Sequence, residues 1–173
     1  FNANKAIITS GTTEAINLVA HAWGRANLSD GDAVILTEMD HHSDIVPWQM
    51  LAQEMNIELR YVPVQKDLTL DMDLFEAAID GAKLVCVVHI SNVLGVCNPV
   101  TDIVRIAKEN GARVLLDAAQ SAPHQDIDFI ELGADFMAFS AHKMCGPTGI
   151  GALLVADDAF SEMQPFMGGG DMI

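Results

Sequence analysis

The chain has 173 residues, 50% of them hydrophobic and 19% charged, which is one domain's worth of globular protein and excludes a disordered or fibrous chain. Nine lysines and arginines face twenty-four aspartates and glutamates, a formal net charge of −15, so the surface repels nucleic acid and anionic membranes. No apolar run is long enough to span a bilayer, and Cys86, Cys97 and Cys145 show no paired metal-binding spacing; both features predict a reduced, cytoplasmic protein.

Short β-prone runs alternate with helical patterns along the chain. A strand is predicted at 6–9 (AIIT), then a helix over 13–26 (TEAINLVAHAWGRA). A strand at 33–38 (AVILTE) leads to a helix over 45–55 (IVPWQMLAQEM), and a strand at 58–63 (ELRYVP) to a helix over 72–80 (MDLFEAAID). The strand at 84–90 (LVCVVHI) is followed by a helix over 100–110 (VTDIVRIAKEN), and strands close the chain at 113–117 (RVLLD), 136–140 (FMAFS) and 151–155 (GALLV). This alternation predicts an α/β fold in three layers, a mostly parallel sheet of about seven strands with helices on both faces. Only about ten residues join the last two strands, too few for a right-handed helical crossover, so the last strand is expected to run antiparallel. No repeat, linker or low-complexity tract divides residues 1–173. The chain opens on Phe1 and closes on GGGDMI, and reads as one domain cut at both ends from a longer protein.

In open α/β sheets ligands sit beyond the carboxyl ends of the strands. Five predicted strand ends here are followed by polar groups: GTTEAIN, MDHHSD, SN, AAQ and AHK. Each has an ordinary reading. Thr12 or Thr13 can cap a helix, or cradle an anion at its start. Asp117 can cap the helix after its strand, and the loop histidines His41 and His42 can be incidental. No histidines stand at the i, i+4 spacing of a helical zinc site, and no metal is expected. The sharper combination is Ser140, His142 and Lys143 beside Asp117: a salt bridge would account for the lysine, but not for the hydroxyls and imidazole gathered at the same edge.

Pyridoxal 5′-phosphate asks for this whole set: a lysine amine for covalent attachment, an acid opposite the pyridine nitrogen and a helix-end cradle for phosphate. The motifs SAHKMCGPTGIG, LLDAAQ, ISNVLG, HHSDIVPWQ and MGGGDMI together strongly resemble the class-V aminotransferase-like enzymes of fold type I, and among them the cysteine desulfurases and related selenocysteine lyases. The resemblance runs essentially end to end. It implies a large cofactor-binding domain whose small C-terminal domain is absent, with Lys143, His41 and Asp117 as the catalytic residues. Lys143 matches the lysine that binds the cofactor and shuttles protons at the substrate α-carbon, and Asp117 the partner of the pyridinium nitrogen. Gln120 matches a donor to the phenolic oxygen, and His41 the residue stacked on the ring. Thr13, Ser140 and His142 match phosphate ligands, with Thr12 adjacent. Asn92 matches a residue near the ring oxygen and substrate carboxylate. Gly168 falls in a loop that reaches the other subunit's active site, which implies a homodimer.

The implied reaction converts L-cysteine to L-alanine and leaves an enzyme persulfide for a sulfur-acceptor protein and iron–sulfur assembly. L-selenocysteine, or another amino acid handled by a class-V lyase or aminotransferase, is the alternative; a non-enzymatic scaffold is a third, opposed by the joint presence of Lys143, Asp117 and His41. Two departures stand out. None of the three cysteines matches the family's sulfur-accepting position, which with the carboxylate-binding arginine falls in the absent C-terminal portion, so these residues alone are expected to be inactive. Asp40 also stands where close relatives often have glutamate.

Overall fold

The computed structural model describes residues 5–170; the last three residues of MGGGDMI lie outside that range. Seven strands, β1 (Lys5–Thr9), β2 (Ala33–Thr37), β3 (Glu58–Val62), β4 (Ala82–Val88), β5 (Arg113–Asp117), β6 (Phe136–Ser140) and β7 (Gly151–Val155), form one sheet. Their order is β1-β7-β6-β5-β4-β2-β3. From β3 across to β6 every neighbour is parallel, whereas β7 runs antiparallel to both β6 and β1. The antiparallel last strand predicted from its short connection is therefore present. It lies inside the sheet, because β1 closes on its far side. Two antiparallel steps return β1 to the direction of β6, so every strand except β7 ends on one edge, and the ends of β1, β2, β4, β5 and β6 bring their polar groups there.

Alternation along the strands builds two cores. Ala33, Ile35, Val85, Val87, Val114, Leu116 and Met137 point to one face. There they meet Phe75 of α4 (Met72–Ala78) and Ile103, Val104 and Ala107 of α5 (Val100–Glu109). Val34, Leu36, Leu84, Cys86, Leu115, Phe136 and Ala138 point to the other. They meet Ala15 and Ile16 of α1 (Thr12–Leu18) and Trp48 and Leu51 of α3 (His42–Met55). Each large side chain so buried contributes about 1.5–3 kcal/mol, and both faces must be covered because a parallel sheet is apolar on both sides.

The helices differ from expectation in ways the packing explains. The first continues from α1 through π-helical turns over Val19–Gly24 into α2 (Arg25–Asn27). A Cβ on Gly24 would lie 2.9 Å from Leu51 and 3.1 Å from Trp48, so glycine lets this helix approach α3 closely. The second begins at His42, three residues earlier than predicted, and runs through Pro47, which lies past the first turn and deprives the Ser43 carbonyl of its i+4 amide. Two short helices, α6 (Phe129–Leu132) and α7 (Asp157–Ser161), and a 3-10 turn over Ala141–Met144 complete the structure. No helix among the described residues is long and apolar enough to cross a membrane.

Candidate active site

The edge where these strands end holds a cleft of about 250 Å³ lined by Thr12, Thr13, His41, Asn92, Asp117, Gln120, Ser140, His142 and Lys143, with Ser43, Val88 and Ala119. Nine of the ten site residues expected from the sequence thus meet in one place. Gly168 is not part of the lining; a Cβ there would meet nothing within 4 Å.

Local chemistry positions each group. Ser140 ends β6 with its Oγ accepting the Thr12 amide at 2.7 Å and sharing a second hydrogen bond, also 2.7 Å, with the Thr12 hydroxyl. This ties the start of α1 to the end of β6. The contact depends on Gly151, where a Cβ would fall 2.5 Å from Gly11 Cα and 2.6 Å from the Phe139 carbonyl oxygen; no side chain fits. A helix start and two hydroxyls thus meet at a crossing only glycine permits, an arrangement that can serve as a cradle for an anion.

His41 is the N-cap of α3, its Nδ1 accepting the Ser43 amide at 3.2 Å and lying 2.7 Å from the Ser43 hydroxyl. With Nδ1 accepting, the neutral ring carries its proton on Nε2. Asp117, at the end of β5, is buried, and its Oδ1 accepts the Ala119 amide at 2.7 Å. Asn92 rides on a turn organised by Ser91, whose Oγ accepts the Val93 and Leu94 amides. His142 and Lys143 stand on the 3-10 turn just past β6. Lys143 is half-buried and makes no ion pair or hydrogen bond among the described residues. The salt bridge that would have been its ordinary explanation is not formed.

Behind the lining lie acids the sequence reading passed over as site residues. Asp40, buried, accepts the Thr37 amide at 2.6 Å and the Val88 amide at 2.9 Å. Burial raises its pKa to about 7, against those amides, with Asp117 adding a smaller push. Asp44, in the first turn of α3, has no exposed surface, and burial and the carboxyls of Asp117 and Asp40 push it well above the usual carboxylate range. Both resemble helix-start acids in sequence, and only their inward direction marks them. The cysteines stand apart: Cys86 is buried in β4 with its thiol pushed up by burial and then by Asp44 and Asp40, and neither Cys97 nor Cys145 lines the cleft.

A larger hollow, about 470 Å³, opens at the opposite edge around Arg113, Asp135, Asp158 and Glu162. Arg113 bonds all three acids there, and Lys83 and Lys108 stand on the same rim.

The family model for aminotransferase class-V matches residues 1–173. A probable cysteine desulfurase of Halalkalibacterium halodurans is 52% identical over 168 residues, which cover 96% of this chain and 41% of that protein. The structure of the cysteine desulfurase CsdA from Escherichia coli, in its S-sulfonic acid form, superposes with a TM-score of 0.92 at 37% identity, over 96% of this chain and 42% of that one. A variant of C-DES with glycine covalently linked to its PLP cofactor superposes at 0.87 with 28% identity, over 96% and 44% of the respective chains. The chain thus spans about two-fifths of the length of these proteins, and shares their sheet and helical layers.

Proposed function

The chain belongs to the aminotransferase class-V family, and we propose on that premise that residues 1–173 are the large domain of a pyridoxal-phosphate cysteine desulfurase. The observation that carries this reading is one cleft in which an unpaired lysine, a buried acid and a hydroxyl-lined helix start converge. The donor set suits the cofactor: hydroxyls and amides for its phosphate, a carboxyl for its ring nitrogen, an amine free to bond its aldehyde. When bound, the cofactor supplies an electron sink for bonds broken at the substrate α-carbon.

The chain's own residues do the rest. Lys143 Nζ is the amine that would attach the cofactor and the group that would move a proton at the substrate α-carbon. Asp117 holds the proton on the ring nitrogen. Gln120 would donate to the ring oxygen, His41 would pack on the ring, and Thr12, Thr13, Ser140 and His142 would hold the phosphate. Asn92 would stand near the ring oxygen and the substrate carboxylate. The sulfur-carrying cysteine is proposed to belong to a further segment of the longer protein, since no cysteine lines this cleft. The same proposal includes a homodimer, with Gly168 directed to the partner's cleft, a sulfur-acceptor protein serving iron–sulfur assembly, and a cytoplasmic setting in keeping with three unpaired cysteines.

The test uses the full-length protein with added pyridoxal phosphate. The expected result is a visible absorbance band from the lysine-linked cofactor, lost in Lys143→Ala, and alanine formed together with sulfide from L-cysteine. Retention of the band in Lys143→Ala would sink the lysine assignment. Alanine from L-selenocysteine but not from L-cysteine would make the protein a selenocysteine lyase instead.

A further inference from the structure

Asp44 occupies a position where an acid usually serves the helix itself, bonding the amides at its start. It does not do so here. No N–H or O–H group among the described residues bonds either of its carboxyl oxygens. The Ser43 amide is taken by His41, and the indole N–H of Trp48, one turn on, is itself unpaired. The carboxyl of Asp117, within hydrogen-bonding reach, and the carboxyl of Asp40 both act on that of Asp44. The Cys86 thiol of β4 lies within the field of Asp44 and Asp40, and His41, His142 and Lys143 share the cleft with Asp117. No lysine, arginine or histidine forms an ion pair with Asp40, Asp44 or Asp117 among the described residues.

Two buried carboxyls in contact, without a cation, cannot both be ionised. The amide donors decide which one holds the proton. Asp117 accepts from Ala119 and Asp40 accepts from Thr37 and Val88, whereas Asp44 accepts from nothing. We propose that Asp44 is a neutral carboxylic acid whose proton is donated to the Asp117 carboxylate from behind, holding that carboxylate ionised and directed into the cleft. Asp44 is thus a positioning residue that acts through Asp117, and its role for the cofactor rests on the reading of Asp117 given above. The arrangement explains why an acid is tolerated with no exposed surface: as a neutral donor it satisfies a neighbour instead of burying a second charge.

The protonation state is read on the full-length protein without cofactor, by infrared difference spectroscopy between the wild type and Asp44→Asn. At about pH 8.5, above the Asp40 transition near about 7, the wild type is expected to show a protonated-carboxyl stretch that Asp44→Asn lacks. A spectrum in which only an ionised carboxylate disappears would overturn the proposal. The positioning role is read by titrating pyridoxal phosphate into the wild type, Asp44→Asn, which keeps a donor, and Asp44→Leu, which has none. The Asn variant is expected to bind within about twofold of the wild type and the Leu variant about tenfold or more weakly, the value of one hydrogen bond to a charged group. Equal affinity in the Leu variant would overturn that role. If Asp44→Leu does not fold, the infrared comparison still decides. A wild type that fails to bind the cofactor would instead refute the function proposed for the cleft while leaving the infrared result intact.

Discussion

Asp40 joins the ends of two central strands, since its two oxygens accept amides from Thr37 and Val88. Those bonds favour the charged form, yet burial outweighs them and the folded pKa rises from 3.8 to about 7. The folded protein therefore holds the Asp40 proton more tightly than the unfolded chain does. Stability from this group is full below the unfolded pKa and is lost as pH rises through about 7. Unfolding free energy in denaturant should fall between about pH 5 and about pH 8 more steeply in the wild type than in Asp40→Asn. The Asn variant is expected to be less stable at acid pH, because its amide nitrogen cannot accept one of the two N–H groups, but flatter with pH. Parallel profiles would refute the assignment. At this scale the sequence was legible wherever a polar residue closed an apolar run, as at Asp117, Ser140 and Lys143. It was not legible at Asp40 and Asp44, because an acid before or within a helix's first turn has the same spelling whether it caps the helix or turns into the core.

Elements are bound at the opposite edge by Arg113, the first residue of β5. It pairs with Asp135 ahead of β6 at 2.8 Å, with Asp158 of α7 at 2.6 Å, and with Glu162 just beyond it. Burial works against its charge, but the three carboxylates raise its pKa above the usual value. Asp135 is fully buried, and apart from Arg113 has only the Val114 amide at 2.7 Å and Lys108 at 3.5 Å. Arg113→Met should therefore leave a buried carboxylate poorly compensated. Loss of a buried partner costs about 3–5 kcal/mol; with Arg113 one-fifth exposed, about 2–3 kcal/mol is expected after allowing for solvent screening. Adding Asp135→Asn should recover part of that loss, and a double-mutant cycle by denaturant unfolding reads the coupling. Strict additivity would show that the network does not bind these elements together. None of α6, α7 or the 3-10 turn was foreseen, since four or five residues hold too little of a helical period to register. Every strand was, because each is a short run rich in β-prone residues and bounded by turn residues.

Across the whole molecule, protection should follow position in the sheet and not position in the chain. β4, β5 and β6 each lie between two neighbours, and their side chains enter both cores. Among the described residues β3 pairs only with β2 and is half exposed along its length, and β1 pairs only with β7. Exchange of a β4 or β5 amide thus requires global opening, whereas β3 and β1 can open by losing a single pairing. Hydrogen exchange on the full-length protein should be slowest in peptides from 84–88 and 113–117 and fastest, among the strands, in peptides from 58–62 and 5–9. The ordering bears on the cleft. Asp117 and Ser140 stand on strands that open last, while Thr12 follows a strand that opens early and is tied back through Ser140 and the Gly11–Gly151 crossing. An anion held by that cradle binds only the closed form, so pyridoxal phosphate should slow exchange more at 5–12 than at 113–117. Uniform slowing at both segments would mean that the cradle is as rigid as the centre of the sheet without its ligand, and the peripheral strand would then have no part in holding the anion.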